Sequence, residues 1–348
     1  MTKQEIDSEG RRNFVAGQLA RSAAKFTTDE EWAERRAELR EVFLKGANLW
    51  PYPEKTPLNP IIHSRRKYDG YSVENIALEA RPGFYVTGNV YRPANLRKPV
   101  PAILCPHGHF PDGRYRPDQQ IRCVNFARMG AIVFSYSMAG YNDSAQVKHK
   151  GSMLLSLQTW SSVRIIDYLL NLDEIDPNRI GVTGASGGGT QTLFIALIDE
   201  RVKVSAPVVI IYHWTAGVDC CECEGRGTAT MEASQTNAIE LAAAVSPRPQ
   251  LIVSAGNDLT KDFPDLGFPF IRHVYEIHGE SDSVECAHFP DEGHDYGPSK
   301  RKAVYDFFAR HLDMEAAREG IKTITLEKPE QMAVFDKVHL KAPSTECF

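Results

Sequence analysis

The sequence predicts an α/β fold, a doubly wound and mostly parallel β-sheet with an antiparallel start. Three observations support this prediction. Apolar runs typical of strands buried on both faces alternate with helical patterns along most of the chain. Glycine-bearing loops follow several of those runs. The chain has 348 residues, 42% of them hydrophobic and 24% charged, which is enough to form one large domain with a buried core.

The first 60 residues are predicted to form a helical arm and a linker. Residues 8–48 have a helical pattern in which Thr28 and Glu31 are spaced as a capping box, followed by an apolar stripe that includes Trp32 and Phe43. Prolines at 51, 53, 57 and 60 then interrupt any helix. We expect the arm to pack on the main domain and to offer a possible contact with a second copy of the chain. A role of the arm at the substrate is the alternative.

The predicted sheet occupies a catalytic domain over residues 61–315. Residues 71–78 and 84–91 nearly alternate between polar and apolar, which is typical of antiparallel strands with one exposed face. The later apolar runs are predicted parallel strands, at 100–105, 131–136, 179–185, 202–210, 250–254 and 284–289. Helical patterns between and after them cover 121–128, 154–172, 190–197 and 301–312. A long insertion spans about 212–246, and residues 316–348 form a polar tail with a strand-like piece at 322–326.

The segment Gly184-Ala185-Ser186-Gly187-Gly188 matches the G-x-S-x-G motif of a nucleophilic serine on a sharp strand-to-helix turn. Such a turn leaves no room for β-carbons two positions before and after the serine, so glycine is required there. The serine then lies at the positive end of the following helix. The backbone N–H of Gly187 is the predicted first donor to an oxyanion.

A serine nucleophile needs a histidine base and usually a carboxylate that orients it. In a parallel sheet these groups must lie beyond the carboxyl ends of the strands. His294 follows the last predicted strand and is therefore the candidate base. Asp258 directly follows the strand at 250–254 and is the candidate acid, with Asp262 and then Asp265 as alternatives.

The loop Pro106-His107-Gly108-His109-Phe110 follows the strand at 100–105. We expect the backbone N–H of His109 to be the second oxyanion donor, beside that of Gly187. The His107 side chain is expected to be a packed structural group, with a proton carrier or a substrate contact as the alternatives. The His109 side chain is either a substrate contact or scaffold.

Further substrate-binding candidates follow other strands of the predicted sheet. Tyr141 lies with Asn142 and Asp143 after the strand at 131–136, and Tyr212 and Trp214 begin the insertion. Loop structure or core packing is the alternative for each of these residues. Arg114 and Arg116 could meet a substrate carboxylate, although loop arginines are usually solvated.

Seven cysteines, an odd number, argue against a disulfide framework and favour a reducing compartment. Cys220, Cys221 and Cys223 lie together in the insertion. Their spacing lacks the second pair of ligands that zinc loops use, so we expect packing or pocket lining, with redox regulation as the alternative. No metal and no cofactor are expected.

The charge pattern excludes some classes of partner. The formal net charge of −5 is small for this length and no run of Lys or Arg stands out, so neither nucleic acid nor an anionic membrane is an expected partner. No apolar run approaches the roughly 18 residues of a membrane span, and the first residues lack the apolar core of a signal peptide. We therefore expect a cytoplasmic protein, with a secreted mature chain as the alternative.

Taken together, these residues resemble the α/β-hydrolase superfamily over roughly residues 71–312. The closest similarity is to its acetyl xylan esterase and dienelactone hydrolase branch. In that superfamily the insertion forms a lid between the sixth and seventh strands. Two departures stand out: glucuronoyl esterases place arginine after the serine, where this chain has Gly187, and dienelactone hydrolases use a cysteine nucleophile in place of Ser186.

The resemblance implies hydrolysis of carboxylic esters, often acetyl groups on sugars, without a metal or organic cofactor. The predicted function is a serine esterase that forms an acyl-enzyme on Ser186 with the help of His294 and Asp258, acting on a small-molecule or carbohydrate ester. A peptidase, or a hydrolase of carbon–carbon bonds or lactones, could use the same triad. A binding protein on a hydrolase fold is the non-enzymatic alternative.

Overall fold

The computed structural model describes residues 3–96, 99–213, 221, 223–224, 236–317 and 323–335. The strands in this part of the chain are β1 (Ile61–Tyr68), β2 (Tyr71–Arg81), β3 (Phe84–Pro93), β4 (Val100–Pro106), β5 (Ile132–Tyr136), β6 (Ile175–Ala185), β7 (Val204–Val208), β8 (Gln250–Ala255) and β9 (Val284–Phe289). The helices are α1 (Lys3–Lys25), α2 (Asp29–Gly46), α3 (Pro117–Arg128), α4 (Leu154–Leu170), α5 (Gly187–Ile198), α6 (Ala238–Ala243), α7 (Phe263–Leu266), α8 (Phe268–Ile277), α9 (Pro298–His311) and α10 (Pro329–Met332).

The strands form one sheet in the order β1-β2-β3-β5-β4-β6-β7-β8-β9. The pairs β1–β2, β2–β3 and β3–β5 are antiparallel, and every later pair is parallel. The predicted α/β sheet with an antiparallel start is therefore confirmed.

Strand β1 was not predicted from the sequence. Its residues, IIHSRRKY, are mostly polar, and their burial alternates between partly buried and exposed because β1 is an edge strand. Because β1 precedes the predicted strands, the insertion between the sixth and seventh predicted strands lies between β7 and β8 of this sheet.

Helices cover both faces of the sheet. One apolar cluster joins the arm, α4, α5 and α8 to one face, and a second joins α3 and α9 to the other. Because both faces of β4 and β5 are buried, their sequences are nearly continuous apolar runs. In the described residues no helix is both long and apolar enough to cross a membrane.

The N-terminal arm consists of two helices that break before Asp29. The predicted capping box is present: the Glu31 N–H donates to Thr28 Oγ1 at 3.3 Å, and the Thr28 N–H donates to the Glu31 carboxylate at 3.2 Å. Trp32 is fully buried and its indole donates to Ser246 Oγ at 3.1 Å. The apolar stripe of the arm thus packs on its own domain, and an oligomer formed through the arm stays a prediction.

The described part of the C-terminal tail lies against the antiparallel end of the sheet. Glu327 pairs with Arg66 at 2.6 Å and accepts from the Tyr68 hydroxyl at 2.8 Å. The Met332 carbonyl accepts from Asn89 at 3.0 Å. Residues 323–326 of the strand-like piece are not in a strand, and residue 322 lies outside the described residues.

Candidate active site

Ser186 occupies the turn between β6 and α5 in a conformation that non-glycine residues rarely adopt, with φ 55° and ψ −126°. Backbone strain of this kind typically costs about 1–3 kcal/mol and persists only where the surroundings hold it. Here the Ser186 N–H donates to the Val208 carbonyl at 3.0 Å, and its carbonyl accepts from the Thr190 N–H at 2.9 Å. The neighbouring strand β7 and the first turn of α5 therefore fix the serine.

The glycines around Ser186 are required because the turn lies directly against the loop after β4. A β-carbon on Gly184 or on Gly188 would lie 2.5 Å from the Pro106 carbonyl oxygen. A β-carbon on Gly108 would lie 3.0 Å from Cβ of Ser186. The structure thus confirms the steric reason for the motif and brings the 106–110 loop to the serine.

His294 and Asp258 are hydrogen-bonded, with Nδ1 of the imidazole 2.8 Å from Oδ1 of the carboxylate. The Asp258 side chain is 2% exposed, whereas the His294 side chain is 38% exposed. The second oxygen, Oδ2, accepts from the Thr260 hydroxyl at 2.6 Å. Burial alone would raise the pKa of Asp258, but the hydrogen bonds from His294 and Thr260 outweigh it, and the pKa lies below its ordinary value.

Of the three candidate acids, Asp258 holds His294. Asp262 instead faces Arg12 at 3.9 Å. The Phe110 ring centre lies 6.0 Å from that of His294. A β-carbon built on Gly108 would lie 2.9 Å from the Phe110 ring and 3.0 Å from Cβ of Ser186, so this loop lies near both residues. Ser186, Asp258 and His294 therefore lie at the same edge of the sheet, beyond the carboxyl ends of β6, β8 and β9.

Gly187 is the first residue of α5, so its N–H has no partner within the helix. A β-carbon on Gly187 would lie 2.6 Å from both Cε1 and Nδ1 of His109. The His109 ring thus fills the space where another residue would place a side chain after the nucleophile. The roles of the Gly187 and His109 N–H groups as oxyanion donors stay predictions.

His107 is a structural side chain. Its Nδ1–H donates to the Gly108 carbonyl at 2.8 Å, and its Nε2 accepts from the Met138 N–H at 3.0 Å. Burial lowers the pKa of His107 to about 3, so the ring is neutral. Because both ring nitrogens bind backbone and the residue is buried, the structure favours the packed interpretation of His107, and a substrate contact stays a prediction.

Arg114 was expected on a loop surface but is fully buried. Its guanidinium pairs with Asp143 at 2.7 Å and donates to Asn89 at 2.9 Å and to the Met332 carbonyl at 2.9 Å. Asn142 accepts from the Arg114 N–H at 3.2 Å. Asp143 and Asn142 are therefore loop structure, and the Arg114 network ties the 137–143 loop to the tail.

Arg116 lies near the site and is partly exposed. Its guanidinium lies 4.5 Å from the centre of the Phe110 ring, whose other neighbour is His294. Its Nε pairs with Asp118 at 2.7 Å.

Of the other substrate-binding candidates, Tyr141 packs its ring 4.8 Å from His149 and 5.3 Å from His107. Tyr212 follows β7 and is partly buried against the core. Trp214 lies outside the described residues. No contact assigns Tyr141 or Tyr212 to a substrate, so both stay predictions.

Cys221 and Cys223 meet two histidines from distant parts of the chain. Nε2 of His109 lies 3.1 Å from Sγ of Cys223 and 3.1 Å from Nε2 of His149, which in turn lies 3.0 Å from Sγ of Cys221. Cys220 lies outside the described residues. The cysteines stand out in the sequence because they lie close together, whereas no motif marks His149.

Two sequence comparisons both match hydrolases. Residues 85–236 match the family model described as glucuronyl esterase of fungi. YtaP of Bacillus subtilis (strain 168), whose name assigns it only to the hydrolases, is 23% identical over 198 residues. The match covers 49% of this chain and 62% of YtaP, so the chain spans less than two thirds of that relative.

Solved structures give the wider comparison. Methylesterase BT1017 is 37% identical, with a TM-score of 0.85, and the match covers 93% of this chain and 74% of that one. A glucuronoyl esterase from Solibacter usitatus has a TM-score of 0.63 at 16% identity, covering 82% of this chain and 94% of that one, which is a likeness of fold.

Proposed function

Because this chain belongs to the α/β-hydrolase superfamily, in the same family as methylesterase BT1017, we propose that it is a serine hydrolase of carboxylic esters. The observation that carries the proposal is the hydrogen bond between His294 and the buried carboxylate of Asp258, at the sheet edge where the strained turn presents Ser186.

In the proposed mechanism the Ser186 hydroxyl attacks the ester carbonyl while His294 takes its proton. Asp258 holds the imidazole in the required tautomer and stabilises the imidazolium that forms. The N–H groups of Gly187 and His109 donate to the oxyanion, which is worth about 3 kcal/mol for each donor. His294 then gives its proton to the departing alcohol, and water repeats the sequence to release the acid.

We propose that the substrate is the methyl ester of a sugar acid. The name of BT1017 specifies a methyl ester, and the matching family model is named for glucuronoyl, the acyl group of a sugar acid. Arg116 supports this choice. Its guanidinium lies over one side of the Phe110 ring, which also neighbours His294, so it could bind a free carboxylate of an acidic oligosaccharide next to the reacting ester.

An acetyl ester on a carbohydrate is the second candidate. The resemblance of the His107–His109 loop and the serine motif to acetyl xylan esterases favours it. In that case the acyl group is small and the sugar is the leaving alcohol. The two candidates thus place the sugar on opposite sides of the scissile bond.

The deciding experiment compares two products. Methanol release from a methyl-esterified uronic acid oligosaccharide is measured beside acetate release from an acetylated xylo-oligosaccharide, with Ser186→Ala as the control. Faster methanol release that is absent in the control supports the methylesterase, and faster acetate release supports the second candidate. If neither ester is cleaved above the control, the esterase proposal fails, and peptide, lactone and carbon–carbon substrates become the next assays.

The same assay tests Arg116. Arg116→Gln is expected to raise KM for the acidic oligosaccharide and to leave hydrolysis of p-nitrophenyl acetate unchanged. Arg65→Gln, on the distant edge strand β1, is the matched control and should change neither. An unchanged KM in Arg116→Gln would remove Arg116 from substrate binding.

We also propose that the protein works in the cytoplasm. The support is its cysteine usage, since Cys105, Cys123, Cys221, Cys223 and Cys286 are all free thiols in the described residues. Fractionation of cells that produce the full-length protein would place it inside or outside the cell, and recovery from the culture medium would contradict the proposal.

A further inference from the structure

Four potential metal ligands converge beside the serine turn. They are Nε2 of His109, Nε2 of His149, Sγ of Cys221 and Sγ of Cys223, and all four atoms lie within 4.8 Å of one another. They come from three separate loops: the one after β4, the one after β5, and the insertion between β7 and β8. Cys223 is buried and the other three residues are half-buried.

The orientation of the histidines suits metal binding. Nδ1 of His149 lies 2.6 Å from the Ala139 carbonyl, to which only an N–H can donate. Its Nε2 therefore has a free lone pair, which is directed at the cysteines. Nδ1 of His109 lies 4.0 Å from the Glu224 carboxylate on the side away from the cluster. Histidines that bind metals commonly hydrogen-bond their second nitrogen to a carbonyl or a carboxylate. His149 has such a hydrogen bond, whereas the Glu224 carboxylate is an electrostatic neighbour of His109 beyond hydrogen-bonding distance.

Charge also favours a divalent ion. Two thiolates and two neutral imidazoles carry a charge of −2, which a divalent cation neutralises. Without a cation, placing two thiolates side by side in a half-buried site is costly.

The distances fit a tetrahedral site after small adjustments. Zinc bonds of about 2.0–2.1 Å to nitrogen and about 2.3 Å to sulfur place neighbouring ligand atoms roughly 3.3–3.8 Å apart. Three of the six pairs of ligand atoms are 3.0, 3.1 and 3.1 Å apart, and every pair lies within 4.8 Å. To reach the tetrahedral values the short pairs must open by a few tenths of an ångström, and a pair at the wide limit must close by about 1 Å.

We propose that His109, His149, Cys221 and Cys223 bind one zinc ion. Four protein ligands complete the tetrahedron, so the site is structural and leaves no position for a catalytic water. The ion joins the insertion to the loop that carries the predicted oxyanion donor His109. Its function is to hold that loop, Cys221 and Cys223 in one arrangement beside the serine turn.

The first test measures the metal content of the purified full-length protein, made with an affinity tag that does not bind metals. Elemental analysis is expected to find about one zinc per chain. The double variant Cys221→Ser/Cys223→Ser should lose it. Cys286→Ser removes a partly buried cysteine outside the cluster and should keep it, as should Ser186→Ala. The readout is therefore independent of whether the protein is an esterase.

A second measurement covers the case in which the double variant fails to fold. Wild-type protein is stripped with a chelator under reducing conditions and titrated with Co²⁺ alone. The expected result is one equivalent bound, with the absorption of a tetrahedral ion and a sulfur-to-cobalt charge-transfer band, both lost in His149→Ala. Stripped wild-type protein that binds neither Co²⁺ nor Zn²⁺ would overturn the proposal. So would a Cys221–Cys223 disulfide in the protein as isolated under reducing conditions.

Discussion

Nδ1 of His294 lies 2.8 Å from Oδ1 of Asp258, and the two residues are held by loops that follow neighbouring strands, β9 and β8. Thr260 binds the other carboxylate oxygen, so Asp258 is fixed from two sides. A general base in a serine hydrolase requires an imidazole that is held at one nitrogen by a carboxylate, and the His294–Asp258 pair has this arrangement.

Asp258→Asn tests this pair. The amide can no longer hold the imidazole in the tautomer that accepts the serine proton, so we expect kcat on the ester substrate to fall by ~10³–10⁴-fold with KM little changed. Asp262→Asn is the matched control, because Asp262 faces Arg12 and should leave kcat within about twofold. Equal losses in both variants would show that Asp258 is not the orienting acid.

The same aspartate predicts a pH dependence of stability. Its pKa is lower in the folded protein than its ordinary value, so its ionised form stabilises the fold. That contribution is fully present above the unfolded pKa of about 3.9 and is lost as the pH falls through the folded value. Urea unfolding from pH 6 down into the acid range should therefore show a steeper loss of unfolding free energy for wild type than for Asp258→Asn. Parallel curves would contradict the assignment.

Gly187→Ala tests the contact between the serine turn and the His109 ring. The new methyl group would lie 2.6 Å from two atoms of that ring, so the ring and its loop must move. We expect a loss of roughly 1–3 kcal/mol in unfolding free energy and a fall in kcat. Gly10→Ala in α1 meets no atom within 4 Å and should be neutral or slightly stabilising. A fully active and stable Gly187→Ala would show that the ring adapts without cost.

The arm is predicted to stabilise the domain without taking part in the chemistry. Trp32→Ala removes a fully buried indole and its hydrogen bond to Ser246, and should cost about 3–5 kcal/mol in unfolding free energy. Trp50→Ala, at a tryptophan that is 53% exposed, should cost far less. Urea unfolding measures both, and kcat at 25 °C should match wild type for the folded fraction of each. A drop in kcat of folded Trp32→Ala would instead connect the arm to the active site.

Much of the fold and the core of the site could be predicted from the sequence because both depend on local patterns. The apolar runs of β4 and β5 and the capping box at Thr28 each follow from a few consecutive residues. Ser186 is marked by the glycines that its turn requires, and Asp258 and His294 each directly follow a buried strand. Parallel strands bring their carboxyl ends to one edge, so chain order alone was enough to bring these three residues together.

The tertiary structure decided what depends on contacts between distant segments. Strand β1 is polar because it is an edge strand, so its sequence lacks the pattern of a buried strand. The sequence around Arg114 predicts an exposed loop arginine. Its burial is possible because Asn89, Asp143 and the Met332 carbonyl, which are distant in sequence, all bind its guanidinium. The spacing of Cys221 and Cys223 contains only half of the proposed zinc site, because the other half, His109 and His149, lies more than 70 residues earlier. A pattern read along the chain records neighbours in sequence, whereas burial and ligation depend on neighbours in space.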